Sequence, residues 1–216
     1  MSPVPSRQIL GLGGYPDAAM ARHLLGLARG PRVLFDTTAS PCPDTLPELD
    51  GAELTPLSFY PWPPAGLRDV VLAHDVVFVG GGSTANLLAV WRAHGFDEIL
   101  REAWESGILL CGWSAGMICW FEACVTDSFG PQLAGLRDGL GFLAGSACPH
   151  YDGEDLRRPV YEQLVRDGFP AGIALDDAAG AHFVGTELHE VVASTATARG
   201  YAVSAEGVRA LDVRRL

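Results

Sequence analysis

Basic residues are scarce in this chain of 216 amino acids. Only 15 Lys and Arg stand against 26 Asp and Glu, which gives a formal net charge of −11 at pH 7. Nucleic acids and anionic membrane surfaces both attract clustered positive charge. The charge balance therefore disfavours nucleic acid and membrane as partners, and it identifies no substrate.

Long apolar runs are absent as well. No segment approaches the roughly 20 consecutive apolar residues that a bilayer-spanning helix needs. Residues 1–7 lead into no apolar core of the kind found in a secretory signal. We therefore expect a cytoplasmic protein with an ordinary globular core, for which a hydrophobic fraction of 48% is sufficient.

Cysteine and histidine occur in no pattern typical of a disulfide framework or a metal site. The cysteines are odd in number, and none of them belongs to a C-x-x-C pair. The six histidines and the acids form no H-x-x-x-H cluster. We expect free thiols, no bound metal and no cofactor. The five cysteines are Cys42, Cys111, Cys119, Cys124 and Cys148.

Two apolar runs end abruptly in glycine-rich turns. Residues 75–79 lead into Gly80-Gly81-Gly82-Ser83-Thr84, and residues 108–111 lead into Gly112-Trp113-Ser114-Ala115-Gly116. Strand-like runs of this kind alternate with segments of helical periodicity through the first half of the chain. The alternation predicts an α/β sandwich with a mostly parallel central sheet, in which ligands bind beyond the carboxyl ends of the strands.

The second half of the chain has weaker patterns. After residue 126 we expect a loop and a glycine-punctuated segment, followed by a helix near residues 154–165. Short apolar runs beyond residue 181 predict antiparallel hairpins at a sheet edge. No internal repeat, low-complexity segment or linker-like composition is present. We therefore predict a single domain over residues 1–216.

The second glycine-rich turn has the G-x-S-x-G pattern of a nucleophile elbow. In an elbow the serine sits on a sharp turn between a strand and a helix, where its Oγ is lifted clear of the sheet. Gly112 and Gly116 fit this geometry, because a Cβ would clash in so crowded a turn. The alternative is a buried turn in which Ser114 only caps a helix, and the pattern alone leaves both interpretations open.

A serine nucleophile needs a base, and the base needs a partner that fixes its tautomer. His150 follows Pro149 in a loop, and His182 is the alternative base. Asp177 lies just past a strand-like run, and Asp127, in the loop after the elbow, is the alternative acid. Taken singly, each of these side chains is better explained by an ordinary structural role, as a turn-capping aspartate or a satisfied histidine.

Taken together, the motifs resemble those of a known family. The run from Gly80 to Leu88, the turn from Gly112 to Gly116 and the pair Pro149-His150 are similar in order and spacing to the peptidase E (aspartyl dipeptidase) family of serine peptidases. Cyanophycinases are more distant relatives of that family. The resemblance covers most of the chain. It implies a three-layer α/β/α sandwich like that of class I glutamine amidotransferases, with serine where those enzymes carry cysteine.

The same resemblance implies roles for the candidate residues. Ser114 would be the nucleophile, His150 the general base and Asp177 the third member of a catalytic triad. Asp127 also matches an acidic position of the family, so it stays an alternative third member. The implied activity is that of a serine-type dipeptidase that works through an acyl-enzyme.

The glycine run has a physical logic of its own, because successive glycines let backbone N–H groups approach a ligand closely. The N–H of Gly82, paired with that of Ala115, would complete an oxyanion hole, and the resemblance points to the same glycine. A rival hypothesis is a small-ligand or phosphate-binding module in which Ser114 is structural. The run lacks, however, both the G-K-[ST] ending of a P-loop and the G-x-G-x-x-G of a dinucleotide site. A thiol-dependent enzyme using Cys111 is the last hypothesis, disfavoured because that cysteine lies inside a strand.

The resemblance implies a small peptide with an N-terminal aspartate as the substrate. Such a peptide needs a cation for its side chain, and Arg157 and Arg158, shortly after His150, are the nearest candidates. The segment between the histidine and these arginines is shorter than in the best-known aspartyl dipeptidases, which leaves strict aspartate specificity open. Whether the protein is a monomer or a homo-oligomer is not readable from its sequence.

Overall fold

The computed structural model of the protein describes residues 6–40 and 47–216. Within these segments the chain forms fourteen strands and six helices. The strands are β1 (Gln8–Leu12), β2 (Arg32–Asp36), β3 (Glu53–Leu57), β4 (Val76–Val79), β5 (Leu109–Trp113), β6 (Phe121–Thr126), β7 (Ala134–Leu136), β8 (Leu143–Cys148), β9 (Gly172–Leu175), β10 (Ala179–Val184), β11 (Glu187–Ala193), β12 (Gly200–Ser204), β13 (Gly207–Ala210) and β14 (Val213–Arg215). The helices are α1 (Ala18–Leu27), α2 (Leu67–Leu72), α3 (Thr84–Ala93), α4 (Phe96–Glu105), α5 (Ala115–Ile118) and α6 (Arg157–Arg166).

The larger sheet has eight strands in the order β14-β11-β10-β1-β5-β4-β2-β3. The five strands from β1 to β3 in that order all pair in parallel. β10 is antiparallel to both β1 and β11. The predicted α/β fold with a mostly parallel central sheet is therefore confirmed.

Both faces of this sheet are covered, which explains why its inner strands are continuous apolar runs. Alternate residues of β4 enter two different core clusters: Phe78 faces the cluster that contains Met20 and Leu24 of α1. Val77 faces the larger cluster, which contains Trp91 of α3. Helices thus lie on opposite faces of the sheet, as the sandwich prediction requires.

The second sheet has six strands in the order β13-β12-β9-β8-β6-β7, and the sequence patterns do not predict it. The elbow helix α5 ends at Ile118 after a single turn, and the chain enters β6 almost at once. Gly135 in β7 and Gly145 in β8 interrupt the apolar patterns of these strands. The segment expected to be glycine-punctuated, residues 133–143, therefore contains the short strand β7 and the start of β8. Tyr161 and Val165 of α6 pack against this sheet.

The final part of the chain forms hairpins, as predicted, but they belong to different sheets. β10 and β11 pair antiparallel in the larger sheet, and β12 and β13 pair antiparallel in the smaller one. β14 then returns to the larger sheet and pairs in parallel with β11. The expectation that all of these strands lie at one sheet edge is wrong, because the chain crosses from one sheet to the other and back.

The helices are short. Within the residues that the structure describes, none is long and apolar enough to cross a bilayer. α3 begins directly after the glycine run that follows β4, and the Ser83 side chain caps it by accepting from the N–H of Asn86. The glycine run therefore lies between the carboxyl end of β4 and the start of α3.

Candidate active site

The carboxyl end of β1 is where the predicted site segments meet. The carbonyl oxygen of Leu12 accepts a hydrogen bond from the N–H of Ser114, with an N···O distance of 3.3 Å. The next carbonyl, that of Gly13, accepts from the N–H of His150 at 3.1 Å. Because these carbonyls belong to consecutive residues, one short turn holds the serine and histidine segments side by side.

Ser114 lies on a tight turn between β5 and α5. Its φ of 54° and ψ of −117° lie outside the regions that L-residues favour, which is the strain expected of an elbow. A Cβ on Gly112 or Gly116 would lie 2.6 or 2.2 Å from the carbonyl oxygen of Val79. The crowding explains why glycine is needed on both sides of the serine.

His150 and Asp177 are hydrogen-bonded to each other, with 2.5 Å between His150 Nδ1 and Asp177 Oδ1. The N–H of Asp177 donates to the Asp152 carboxylate at 2.9 Å. The Asp177 carboxylate also lies between Gly14 and Gly153, where added Cβ atoms would approach it to 2.6 and 2.0 Å. Since the contact is made by Nδ1, the other ring nitrogen, Nε2, is left for a different partner. The pair has the arrangement of a general base with its orienting acid.

The alternative base and acid lie in other surroundings. Asp127 is exposed in the turn after β6, where its carbonyl accepts from the N–H of Gly130. His182 is buried in β10, and its Nε2 is 2.9 Å from Oε1 of Gln8. Burial lowers the pKa of His182 to about 4. Within the described segments the carboxylate bonded to His150 is that of Asp177, so the geometry favours Asp177 over Asp127.

The glycine run after β4 lies against the elbow. A Cβ added to Gly81 would be 3.3 Å from the Cβ of Ser114. Gly82 has a φ of 138°, and a Cβ there would be 2.2 Å from the carbonyl oxygen of Ala39. Among residues 6–40 and 47–216, no acceptor is hydrogen-bonded to the N–H of Gly82 or of Ala115. Two unused backbone donors therefore lie in the segments that adjoin the serine, which suits the stabilisation of an oxyanion.

The two arginines predicted to contact the substrate differ sharply in environment. Arg157 is only 3% exposed. Its Nε is 2.8 Å from Oε2 of Glu154, and its Nη1 donates to the carbonyl of Val125 at 3.1 Å. Arg158 is exposed, and its guanidinium lies 4.3 Å from the centre of the Tyr151 ring. Of the two, only Arg158 is open to a ligand in solution.

A thiol nucleophile has little support in the structure. Cys111 is fully buried in β5, and burial raises the pKa of its thiol well above the ordinary value, whereas the thiolate is the reactive form. The other described cysteines, at 119, 124 and 148, are also free and buried, and Cys42 lies outside the described residues. No group of three or more His, Cys, Asp or Glu side chains in the described segments could hold a metal ion.

The sequence patterns do not single out the residues that hold the site together. Gly13 and Gly14 directly after a strand are one local signal, because ligands bind at the carboxyl ends of such strands. Gly153 and Asp152 have no comparable signal. Their contacts with Asp177 join segments that are distant in sequence, so only the folded chain reveals them.

Comparison with known proteins gives the family. The model of peptidase family S51 matches residues 42–191, a segment that contains the glycine run, the elbow, His150 and Asp177. The chain belongs to peptidase family S51. It is 51% identical over 148 residues to the uncharacterized peptidase YgaJ of Bacillus subtilis (strain 168), a match that covers 68% of this chain and 64% of YgaJ. It is 41% identical over 49 residues to peptidase E of Haemophilus influenzae, a match that covers 23% of this chain and 22% of that protein. The chain thus aligns with less than two thirds of the length of these relatives.

Two solved structures of proteins named as peptidases share the fold. A peptidase from an acI-B1 Actinobacterium superposes with a TM-score of 0.68, at 17% identity, over 97% of this chain and 96% of that chain. A protein assigned as a peptidase E from Listeria monocytogenes EGD-e superposes with a TM-score of 0.63, at 16% identity, over 88% of this chain and all of that chain. At such identities the likeness extends to the fold alone, and it agrees with the predicted architecture.

Proposed function

We propose that this S51 family member is a serine peptidase that hydrolyses dipeptides or short peptides through Ser114, His150 and Asp177. The observation that carries the proposal is the 2.5 Å contact between His150 and Asp177, made next to the strained elbow of Ser114 at the end of β1. A structural serine or an isolated histidine has no need of that arrangement.

In the proposed reaction, Nε2 of His150 accepts the proton of Ser114 while Oγ attacks the carbonyl carbon of the peptide bond. Asp177 holds the imidazole through Nδ1 and stabilises the imidazolium that forms. Collapse of the tetrahedral intermediate breaks the C–N bond, and His150 passes its proton to the departing amine. A water molecule then attacks the acyl-serine by the same route, which releases the acid and restores the serine.

In this proposal the N–H groups of Gly82 and Ala115 stabilise the negative charge of the tetrahedral intermediate. Their support is that neither is hydrogen-bonded to a described residue. Ala115 follows Ser114 in the chain, and Gly81, the neighbour of Gly82, packs against Ser114. Loss of one such donor typically removes about 2.7–4 kcal/mol of transition-state stabilisation.

For the substrate we propose a small peptide with an N-terminal aspartate, whose carboxylate pairs with Arg158. The relative named peptidase E supports a peptide as the substrate, and the exposure of Arg158 supports this residue rather than the buried Arg157. We propose a cytoplasmic location as well, since the described cysteines are free thiols.

The proposal is tested with an active-serine probe, a fluorophosphonate, and a panel of dipeptides that varies the first residue. Wild-type protein is expected to be labelled and to release amino acids. Ser114→Ala should show neither, whereas Ser204→Ala, in the β12–β13 hairpin, should behave as wild type. A protein that the probe does not label at Ser114, and that cleaves no peptide, would be a binding module instead.

A further inference from the structure

A carboxylate that takes no part in the proposed chemistry lies buried beneath the glycine run. Asp36 is the last residue of β2 and has no exposed surface. Its Oδ1 accepts hydrogen bonds from the N–H and the hydroxyl of Thr38, at 3.2 and 2.5 Å. Its Oδ2 accepts from Nε1 of Trp91 at 2.9 Å. A buried carboxylate is tolerated only where donors compensate for its lost hydration, so these three bonds constrain its neighbours strongly.

The turn that Asp36 organises holds both ends of the glycine run. The backbone carbonyl of Asp36 accepts from the N–H of Gly80 at 3.0 Å, and the carbonyl of Ala39 accepts from the N–H of Ser83 at 2.8 Å. Between these two anchors, Gly82 packs so closely on the Ala39 carbonyl that no Cβ fits. The orientation of the Gly82 N–H is therefore set by the turn from Asp36 to Ala39.

The third donor, Nε1 of Trp91, links the Asp36 carboxylate to the helix that follows the glycine run. Trp91 belongs to α3, which begins directly after Ser83. Asp36 thus joins the turn before the run, through Thr38, to the helix after it, through Trp91. Burial raises the pKa of Asp36 to about 6, and the bonds from Thr38 and Trp91 oppose a larger rise. At neutral pH and above, the group is charged and its bonds are strong.

We propose that Asp36 is a positioning residue that aims the N–H of Gly82 at the oxyanion, acting through its hydrogen bond with the Thr38 hydroxyl. The inference rests on the proposed function, because it concerns the oxyanion hole of that reaction. Asp36 itself does not touch the substrate. Its loss should lower turnover and leave substrate binding nearly unchanged, since only the transition state uses the Gly82 donor.

The test compares Thr38→Val, which removes the hydroxyl donor at nearly constant shape, with Thr38→Ser, which keeps it. Thr38→Val should lower kcat by about tenfold to a hundredfold, the range for misplacement of a catalytic group by up to 1 Å, with KM changed less than twofold. Its affinity for a peptide aldehyde, which forms a tetrahedral adduct with the serine, should fall by the same factor. Thr38→Ser should restore kcat and aldehyde affinity to nearly wild-type values.

Two further variants separate positioning from stability. Asp36→Asn should lower kcat at least as much as Thr38→Val, because the amide NH2 replaces one carboxylate oxygen and then faces a donor, that of Thr38 or that of Trp91, from which it cannot accept. Val192→Ala, a buried substitution in β11 outside the site, should lower Tm and leave kcat within twofold. A Thr38→Val protein with wild-type kcat, or an equal loss of kcat in Thr38→Ser, would overturn the proposal.

A second measurement needs no activity. In ¹⁵N-labelled protein, the amide resonances of Gly81 and Gly82 should shift in Thr38→Val and stay in place in Thr38→Ser and Val192→Ala. If the wild type cleaves no peptide but these resonances shift, the proposed function fails and the positioning by Asp36 stands. If the wild type cleaves peptides but neither kcat nor these resonances change in Thr38→Val, the positioning fails and the proposed function stands.

Discussion

Gly153→Ala should inactivate the proposed peptidase without unfolding it. A Cβ at this position would be 2.0 Å from Asp177 Oδ2, whereas real Cβ atoms essentially never come closer than 3.0 Å to such an atom. The group that must move is the carboxylate of Asp177, whose side chain is half-exposed. It can rotate away with little loss of stability. The same rotation removes Oδ1 from His150 Nδ1.

The structure sets the size of the effect. The carboxylate must move by about 1 Å, and misplacement of a catalytic group by this distance can lower turnover about a hundredfold. Complete loss of the orienting acid lowers kcat by about 10⁴ in the serine protease triad. We therefore expect kcat of Gly153→Ala to fall by about 10² to 10⁴, with little change in KM.

The assay is dipeptide hydrolysis under saturating substrate, with Tm measured by calorimetry on the same samples. Gly26→Ala is the matched control, because nothing lies within 4 Å of an added Cβ there and the residue is in the last turn of α1, away from the site. That variant should keep its activity and be as stable as wild type or slightly more so. Wild-type kcat in Gly153→Ala would refute the reasoning, because it would show that turnover does not need the Asp177 carboxylate in its place.

Three further predictions concern the acid, the pH dependence of stability and the substrate. Asp177→Asn should lower kcat far more than Asp127→Asn, and the reverse order in steady-state kinetics would exchange their roles. Burial lowers the pKa of His182 to about 4, so the unfolded chain, with a His pKa near 6.5, binds a proton first as the pH falls. The free energy of unfolding should then fall by up to roughly 3 kcal/mol between about pH 6.5 and pH 4 because of this group. Urea denaturation should show a smaller fall for His182→Gln than for wild type. Equal falls in the two proteins would exclude His182 as the cause. If the side-chain carboxylate of the N-terminal aspartate makes a charged hydrogen bond with Arg158, Asp-Leu should be hydrolysed about tenfold to a hundredfold faster than Asn-Leu. Arg158→Lys should lower this ratio of rates, because lysine lacks the bidentate fork of arginine. Equal rates on the two dipeptides in the wild type would contradict an aspartate preference.

Features that depend on neighbouring residues were open to prediction from the sequence. The buried strand β4 is a continuous apolar run, and the central parallel strands show the same signal because both of their faces are covered. The elbow is local too, since the glycines at 112 and 116 and the serine between them define one turn. The order of these motifs along the chain was sufficient to indicate the family, which the comparisons confirm.

Features that depend on contacts between distant segments were not predictable. The second sheet was not predicted because several of its strands are short and contain glycine. A short apolar run does not distinguish a strand from a helix. Spacing left Asp127 open as the alternative to Asp177, because nothing in the adjacent residues shows which of the two carboxylates reaches His150. The choice depends on which carboxylate the fold carries to within hydrogen-bond distance of His150.

The amino-acid sequence by itself determined the alternation of strands and helices in the first half of the chain, the tight turn at Ser114 and the glycines around it, because each follows from the apolar pattern or the sterics of a few adjacent residues. The tertiary structure alone decided which acid meets His150, that Gly14 and Gly153 enclose it, and that Asp36 lies beneath the glycine run. These contacts join elements far apart along the chain, and hydrogen bonds between them form only when packing of the core has brought the strand ends together.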